Sequence, residues 1–286
     1  MWPLIELAVA PKWANGQDRL NAVLARLTAE DPSFIVSLDA ESGQTVLHGW
    51  DEPSLERTVA LLTQDIALEV SAPQVAYRET ITQAAIVDYS HKWVGDGKGQ
   101  FARIKLLFEP GVPNSGFVFT CTAPPGTVPD SYVAGVAAGL EAASTFGLLA
   151  GFPVIDMKAT LIDGAYHDRD SSALTFDIAA RAAFKALRQE GGLVLLEPLV
   201  TVEVSAPETY LGGVAADLIA HRAEALERMD GKLTARVPLT GLLGYDRRLH
   251  GLTNGQGEWS MTFERYALVP QTPPDDIYTP DIGMRA

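Results

Sequence analysis

The densest group of chemically reactive side chains lies in the sequence "GAYHDRDSS" at residues 164–172. It brings together His167, Asp168, Asp170, Ser171 and Ser172. An imidazole oriented by a carboxylate can act as a general base toward a serine, so His167 and Ser171 are candidates for hydrolytic chemistry. A metal site would need further histidine or cysteine ligands, and the other four histidines show no ligand spacing.

Two other interpretations apply to the same segment. Asp170, Ser171 or Ser172 is expected to cap the helix that follows, because short polar side chains accept hydrogen bonds from the first helical turn. A polar loop between regular elements is also a frequent place for a ligand-contacting tip. Neighbours in sequence rarely meet in the geometry of a catalytic triad. We therefore favour a cap and a ligand-facing tip over catalysis.

A second group combines positive charge with aromatic rings at residues 91–105. Its members are Lys92, Lys98, Arg103 and Lys105 with His91, Trp93 and Phe101. Such a mixture can form a basic, aromatic surface for nucleic acid. The same residues are ordinary on a solvated strand, and composition alone favours that interpretation. The only cysteine, Cys121, is expected to be an ordinary half-buried strand residue.

No loop suited to a nucleotide triphosphate is present in the sequence. "GDGKGQ" lacks the spacing of a phosphate-binding loop, and "GLLAGF" is not a dinucleotide fingerprint. A G-x-S-x-G nucleophile elbow is also absent from the sequence.

The elements that must position these loops follow from hydrophobic periodicity. Residues 1–82 predict strands near 4–10, 34–38, 42–50 and 67–73, with helices at 15–32 and 55–66. This β-α-β-β-α-β order is that of a ferredoxin-like domain. Residues 196–269 repeat the plan, with an Asp230-Gly231 turn between two strands. "HRAEALERM" at 221–229 is the weak point, because its propensity is helical where the plan requires a strand.

The middle segment, residues 83–195, is less regular. It predicts strands at 99–111, 115–124 and 153–168 and helices at 129–147 and 171–192. Hinges are expected near 77–82 and 195–198, and residues 270–286 read as a flexible tail with four prolines. The fold class is therefore α+β, with two ferredoxin-like domains on either side of a middle α+β domain.

Composition limits the class of protein. The 286 residues are 47% hydrophobic, and 22 Lys and Arg against 36 Asp and Glu give a net charge of −14. Residues 1–82, 83–195 and 196–286 carry −7, −2 and −5, so the middle segment is the one most able to approach a polyanion. The longest apolar runs fall short of a membrane span, no signal peptide is recognised, and a single cysteine favours a cytoplasmic location.

Several motifs in one order resemble the C-terminal half of bacterial translation elongation factor G, its third, fourth and fifth domains. They are "EDPSF" (30–34), "PQVAYRETI" (73–81), "GKGQFARIKLLFEP" (97–110), "LAGFPVIDMKATLIDGAYHDRDSSALTF" (149–176), "LLEPLVTVEVSAPETYLGGVAADL" (195–218) and "VPLTGLLGYDRRLHGLTNGQGEWSMTFERY" (237–266). The resemblance covers nearly the whole chain. It implies an elongated middle domain with a left-handed β-α-β crossover.

The resemblance also implies a function. In this family the tip of the middle domain enters the ribosomal decoding site while transfer RNA and messenger RNA move. The tip residues carried over are His167, Asp168, Asp170, Lys98, Gly99, Gln100 and Phe101. The partners implied are the ribosome, with its ribosomal RNA, and the transfer RNA–messenger RNA pair. No membrane is implied, and the family acts as a monomer.

The family's GTPase domain has no counterpart in this sequence. We interpret the chain as a fragment that is not itself an enzyme and binds no cofactor. GTP and magnesium would belong to the GTPase domain of a parent protein, a ribosome-dependent GTPase.

Three departures from the family pattern suggest a diverged paralogue. "WDEPSLER" (50–57) replaces the usual "GELHLE" stretch, "HRAEAL" (221–226) replaces "RRG", and Asp96 adds a negative charge to one tip loop. Ribosome recycling and tetracycline ribosomal protection are the related alternatives, although "GAYHDRDSS" favours elongation factor G over the latter. A small hydrolase and a regulatory ligand-binding protein are the alternatives from other classes.

Overall fold

The computed structural model describes residues 3–13, 16–30, 34–38, 44–95, 98–190 and 192–270. Contacts within the chain define two units. Unit 1 combines Met1–Ala76 with Glu197–Ala286, and unit 2 is Tyr77–Leu196. The predicted tail beyond residue 270 and the turn at 42–43 lie outside the described residues. The division at residues 82, 195 and 269 stays a prediction.

The N-terminal half of unit 1 has the predicted β-α-β-β-α-β order. Its elements are β1 Ile5–Pro11, α1 Gln17–Glu30, β2 Ile35–Leu38, β3 Thr45–Gly49, α2 Glu52–Asp65, β4 Leu68–Val70 and β5 Gln74–Val75. The sheet is antiparallel in the order β2-β3-β1-β4, and β5 also pairs with β1. Leu20 and Leu24 of α1 and Leu55 and Leu62 of α2 are buried, as the helical spacing of apolar residues predicts.

Unit 2 is built on a four-stranded sheet and two helices. Its elements are β6 Arg78–Ile81, β7 Ala85–Gly95, β8 Lys98–Pro110, β9 Phe117–Cys121, α3 Asp130–Ser144, β10 Met157–Ala165 and α4 Ala173–Ala186. The sheet order is β7-β8-β10-β9, in which only the β9–β10 pair is parallel among the described strands. Because α3 joins these parallel strands, the expected β-α-β crossover is present.

Helices α3 and α4 pack closely because two glycines of α3 face the backbone of α4. A Cβ atom on Gly135 would lie 2.2 Å from the carbonyl oxygen of Ala173, and one on Gly139 would lie 2.6 Å from that of Asp177. Neither contact leaves room for a side chain. Behind them, Phe176 and Phe184 of α4 are buried in the core of unit 2. The alanine-rich and glycine-containing sequence of α3 is therefore a packing requirement.

Two details of unit 2 differ from the sequence-based expectation. Strand β7 was not predicted. Its buried face begins with the small residue Ala85, whereas the large apolar residue Ile86 is 51% exposed, so the usual alternation of apolar and polar residues is not visible in the sequence. Cys121 is exposed rather than half-buried. It is the last residue of β9, which ends the strand order of the sheet.

The C-terminal half of unit 1 confirms the second ferredoxin-like plan. Its elements are β11 Leu193–Ser205, α5 Glu208–Ala220, β12 Glu224–Met229, β13 Lys232–Pro238, α6 Tyr245–Thr253 and β14 Glu258–Leu268. The first four residues of β11 belong to unit 2. The strand order, β12-β13-β11-β14, is equivalent to that of the N-terminal half. Pairing with β13 makes residues 224–229 a strand despite their helical propensity. Asp230 and Gly231 have φ values of 48° and 77°, as a tight hairpin turn requires.

The two segments predicted as hinges pair with each other inside unit 2. Residues 78–81 of β6 run antiparallel to residues 193–196 of β11, with Arg78 opposite Leu196 and Ile81 opposite Leu193. Thr82 extends this pairing, since both its amide nitrogen (3.1 Å) and its hydroxyl (3.0 Å) donate to the carbonyl oxygen of Gly192. We call this β6–β11 ladder the neck of unit 2.

Among the described helices, none has the length and apolar character needed to cross a membrane.

Tyr245 is a fully buried phenol in the C-terminal half of unit 1. Within the described part of the chain, its hydroxyl has no hydrogen-bond partner. Burial raises the pKa of Tyr245 above its usual range, the negative charge of Asp217 raises it further, and Arg248 opposes the shift. The folded state therefore keeps the phenol proton at alkaline pH while the unfolded state loses it.

This difference predicts an alkaline loss of stability. Above about pH 10, where an ordinary tyrosine ionises, the unfolded state binds fewer protons and the free energy of unfolding falls as pH rises. Tyr245→Phe removes this contribution and, because the hydroxyl has no described partner, should cost little at pH 8. Urea midpoints of both proteins at pH 8 and pH 10.5 check the prediction. An equal alkaline loss in both proteins would contradict it.

Candidate functional site

The two loops singled out by the sequence meet at one end of unit 2. The amide nitrogen of Phe101, in β8, donates to the carbonyl oxygen of Asp170 at 2.9 Å. The hydroxyl of Ser171 donates to the carbonyl oxygen of Phe101 at 2.6 Å. These bonds fix the segment between β10 and α4 to the end of the β7–β8 hairpin. We call residues 164–172, together with the described residues 94–95 and 98–101 at the end of the hairpin, the tip.

His167 lies on the solvent side of the tip. Its side chain is 56% exposed, and its Nδ1 lies 3.1 Å from Oδ2 of Asp170. The amide nitrogen of Arg169 is 3.4 Å from the same Nδ1, which cannot accept that proton while donating its own to the carboxylate. The shorter contact with a charged acceptor is the stronger one. Because Nδ1 faces Asp170, the other ring nitrogen of His167, Nε2, points away from this carboxylate. The next residue, Asp168, is exposed.

The two serines of the cluster have structural roles. Ser171 Oγ accepts a hydrogen bond from the amide nitrogen of His167 at 2.9 Å while its proton goes to Phe101. A nucleophile would instead donate this proton to an imidazole, so the geometry does not support the hydrolase interpretation. Ser172 is the helix cap: its hydroxyl accepts from the amide nitrogen of Thr175 at 3.2 Å at the start of α4. Of the three predicted capping residues, Ser172 therefore takes that role.

The hairpin side of the tip depends on a glycine. A Cβ atom at Gly99 would lie 2.6 Å from Cγ of Asp170, so only glycine lets this carboxyl group rest against the strand. Gln100 Oε1 lies 3.0 Å from Nε2 of His91. Lys98 begins β8 opposite Gly95, and its side chain lies outside the described structure. Asp96 and Gly97 lie outside the described residues altogether.

Arg103, on β8 near the tip, has its positive charge paired with two carboxylates. The guanidinium of Arg103 bonds to Asp88 at 3.0 Å and to Asp163 at 3.1 Å. The hydrogen bond to Asp88, followed by the attraction of both carboxylates, raises the pKa of Arg103 above its ordinary value, against the effect of burial. Arg103 is thus engaged within the sheet, as the solvated-strand interpretation implies. The ammonium of Lys92 lies 5.8 Å from the ring centre of Phe101.

A cleft of about 270 Å³ opens between the two loops of the tip. Its lining includes Trp93, Gln100, Tyr166, His167 and Asp170. The sequence analysis did not single out Tyr166. The signal that was available is its position in the sequence, directly before His167 and one residue after the end of β10. We call this cavity the tip cleft.

The altered stretch at residues 50–57 contacts the C-terminal half of unit 1. Asp51 caps α2 by accepting a hydrogen bond from the amide nitrogen of Ser54 at 2.7 Å. Glu52 Oε2 accepts one from the amide nitrogen of Gly244 at 2.6 Å, and Glu56 pairs with the exposed Arg247 at 3.2 Å. The acidic residues of this stretch therefore join the two ferredoxin-like halves.

Three family models match the chain in order. Elongation Factor G, domain III matches residues 2–74; Elongation factor G, domain IV matches residues 73–192; and Elongation factor G C-terminus matches residues 194–277. The tip belongs to the segment that matches domain IV.

Full-length relatives extend beyond this sequence. Elongation factor G of Rhodopseudomonas palustris (strain BisB18) is 47% identical over 274 residues, which cover 94% of this chain and 40% of that protein. A crystal structure of a protein from Thermus thermophilus matches with a TM-score of 0.76 at 36% identity, covering 95% of this chain and 41% of that one. The chain thus spans about two fifths of the length of these relatives. With three domain models matched in order over nearly its whole length, it belongs to the elongation factor G family.

Proposed function

We propose that the chain is the ribosome-binding portion of an elongation-factor-G-like translational GTPase that promotes movement of transfer RNA and messenger RNA. The observation that carries the proposal is the tip: two loops, both within the domain IV match, held together by the Phe101–Asp170 and Ser171–Phe101 hydrogen bonds. In this proposal His167, Asp168, Asp170, Gly99, Gln100, Phe101 and Lys98 are the contacts to RNA at the decoding site.

The electrostatics of unit 2 suit contact with folded RNA by shape and hydrogen bonds. Residues 83–195 carry only −2 of the total charge of −14, and Arg103 is already paired with two carboxylates. A near-neutral tip can occupy a site among phosphates without the strong, nonspecific attraction that a basic groove would exert. GTP and magnesium are proposed to act on a GTPase domain of the parent protein. The protein is proposed to work as a monomer in the cytoplasm.

The test uses a parent protein that includes the GTPase domain, on pre-translocation ribosomes. His167→Ala is expected to slow messenger RNA movement at least about tenfold, the effect of losing one or two polar contacts. Ribosome-stimulated GTP hydrolysis should continue at its normal rate, because it belongs to another domain. Gln189→Ala is the matched control: Gln189 is exposed and follows the C-terminal end of α4, whereas the tip precedes its N-terminal end.

The same assay separates the alternatives. Unchanged movement in the His167→Ala protein would count against the tip assignment. If the unaltered parent hydrolyses GTP but moves no messenger RNA, ribosome recycling or release of tetracycline replaces translocation as the proposed task. If it does neither, the translation-factor function is withdrawn.

A further inference from the structure

Two aromatic rings are exposed to solvent at the tip cleft. Trp93 is 48% exposed and Tyr166 is 39% exposed, and both line the cleft. Large aromatic side chains are usually buried because each removes a large apolar area from water. Two of them beside one small cavity therefore form a surface suited to a flat, partly apolar ligand.

Both rings are held in place by their neighbours. Tyr166 meets Tyr132 edge-on at 5.9 Å, and Tyr132 stacks at 5.1 Å on Phe176, which is fully buried. Tyr132 also donates a hydrogen bond to the carbonyl oxygen of Ser171 at 3.2 Å. The indole of Trp93 lies across Gly95, where a Cβ atom would come within 2.4 Å of it. Ordering these rings on binding costs little entropy, because packing already restricts them.

The cleft lining also includes two polar side chains, Gln100 and His167, of the kind that bond to the edge of a nucleobase. The contact of His167 with Asp170 uses Nδ1, so Nε2 remains directed elsewhere. The contact of Gln100 with His91 uses the amide oxygen, so the amide nitrogen remains to donate. Lys92 is exposed at the same cleft and supplies one positive charge of the kind that contacts a phosphate.

From this arrangement we propose that the tip cleft takes one unpaired nucleobase of single-stranded RNA. The base stacks on the exposed rings, its edge meets Gln100 and His167, and its phosphate lies toward Lys92. This inference rests on the proposed function and adds the ligand of the tip. Duplex RNA does not fit the proposal, because its bases are stacked on each other and their edges are paired.

The test is a titration of the complete 286-residue chain with a short ribonucleotide containing 2-aminopurine, at low salt. The probe is used once as a single strand and once annealed to its complement. Fluorine NMR of 5-fluorotryptophan protein reads out the cleft, because Trp93 is the only tryptophan at residues 77–196. The single strand is expected to shift the Trp93 signal in a saturable manner, and the duplex is not.

Variants connect the binding to the rings. Trp93→Ala and Tyr166→Ala should each weaken binding about tenfold, as loss of one stacking partner does, while Tyr166→Phe keeps the ring and should retain binding. Phe146→Ala is the control, since Phe146 is 59% exposed but follows the opposite end of α3 from Tyr132. Binding to the Trp93→Ala protein is read from 2-aminopurine fluorescence.

The outcomes are separable from those of the ribosome assay. Equal shifts with single strand and duplex, no shift of the Trp93 signal, or equal losses in Trp93→Ala and Phe146→Ala would each overturn the nucleobase site. If His167→Ala abolishes messenger RNA movement while the free chain binds no single strand, the proposed function stands and this inference falls. If the free chain binds single-stranded RNA but the parent moves no messenger RNA, the proposed function falls and the site stands.

Discussion

Glu79→Ala is expected to lower the free energy of unfolding of unit 2 by at least about 4 kcal/mol. The carboxylate of Glu79 is fully buried and accepts four backbone hydrogen bonds: Oε2 from Leu148 (2.5 Å) and Leu149 (2.8 Å), and Oε1 from Ala150 (2.7 Å) and Phe152 (3.1 Å). Each donor left unpaired costs roughly 1–3 kcal/mol. The sum approaches the whole stability of an ordinary domain.

Glu79→Gln tests the same interaction more narrowly. It replaces one acceptor oxygen by an amide group that donates, and this group would then face two other donors. We expect a loss of about 2–3 kcal/mol. Glu141→Gln is the matched control, because Glu141 is an exposed carboxylate on α3 of the same unit.

The measurement is hydrogen exchange during urea unfolding, read separately for peptides from residues 77–196 and from the rest of the chain. Separate reading matters because two units need not unfold together. A loss in unit 2 below about 1 kcal/mol for Glu79→Ala would show that the loop at 148–152 does not depend on this carboxylate. If Glu141→Gln lowers the free energy of unfolding of unit 2 as much as Glu79→Gln does, burial of the Glu79 carboxylate is not the cause of the loss.

Arg222→Ala is expected to destabilise unit 1 by about 3–5 kcal/mol, because it leaves a buried carboxylate without its counterion. Glu197 is 1% exposed and receives both terminal nitrogens of Arg222, at 2.7 Å and 2.9 Å. The hydroxyl of Thr240 donates to the same carboxylate at 2.6 Å and accepts from Arg222 at 2.7 Å. The three side chains therefore satisfy one another.

Arg222→Lys should recover only part of this loss, because a lysine ammonium cannot form the two parallel bonds of a guanidinium. The matched control is Arg19→Ala. Its pair with Asp65 is exposed on both sides, at 65% and 50%, and should contribute no more than about 1 kcal/mol. Urea midpoints of unit 1 peptides decide the comparison, and equal losses in Arg222→Ala and Arg19→Ala would refute the argument.

Most of the fold could be predicted from sequence, because it depends on local periodicity. The alternating strands and the amphipathic helices of both ferredoxin-like halves are visible in the apolar pattern. The ferredoxin-like order predicts a strand even at residues 221–229, because the Asp230-Gly231 turn and β13 require a partner strand there. Propensity alone gave the wrong structure at this point, because cross-strand hydrogen bonds outweigh it.

The parts that escaped prediction depend on partners distant in sequence. Nothing local pairs Glu79 with residues 148–152 or Glu197 with Arg222, although a carboxylate in the apolar run "LLEPL" signals a buried partner. At the tip, the sequence singled out the candidate residues His167, Asp168 and Asp170 from their types. The supporting residues, Tyr132 and the hydroxyl of Ser171, act through contacts that only the folded chain creates.

The neck has a consequence for the order in which the chain is synthesised and folded. Unit 1 is discontinuous, and about 120 residues of unit 2 separate its two halves along the chain. Because β6 and β11 pair, folding of unit 2 holds Arg78 and Leu196 one strand spacing apart, about 5 Å. The C-terminal half of unit 1 then emerges tethered beside the N-terminal half, as if by a very short linker. Folding of unit 2 has already offset the entropy cost of closing this loop of about 120 residues. The local concentration of one half of unit 1 around the other is therefore high.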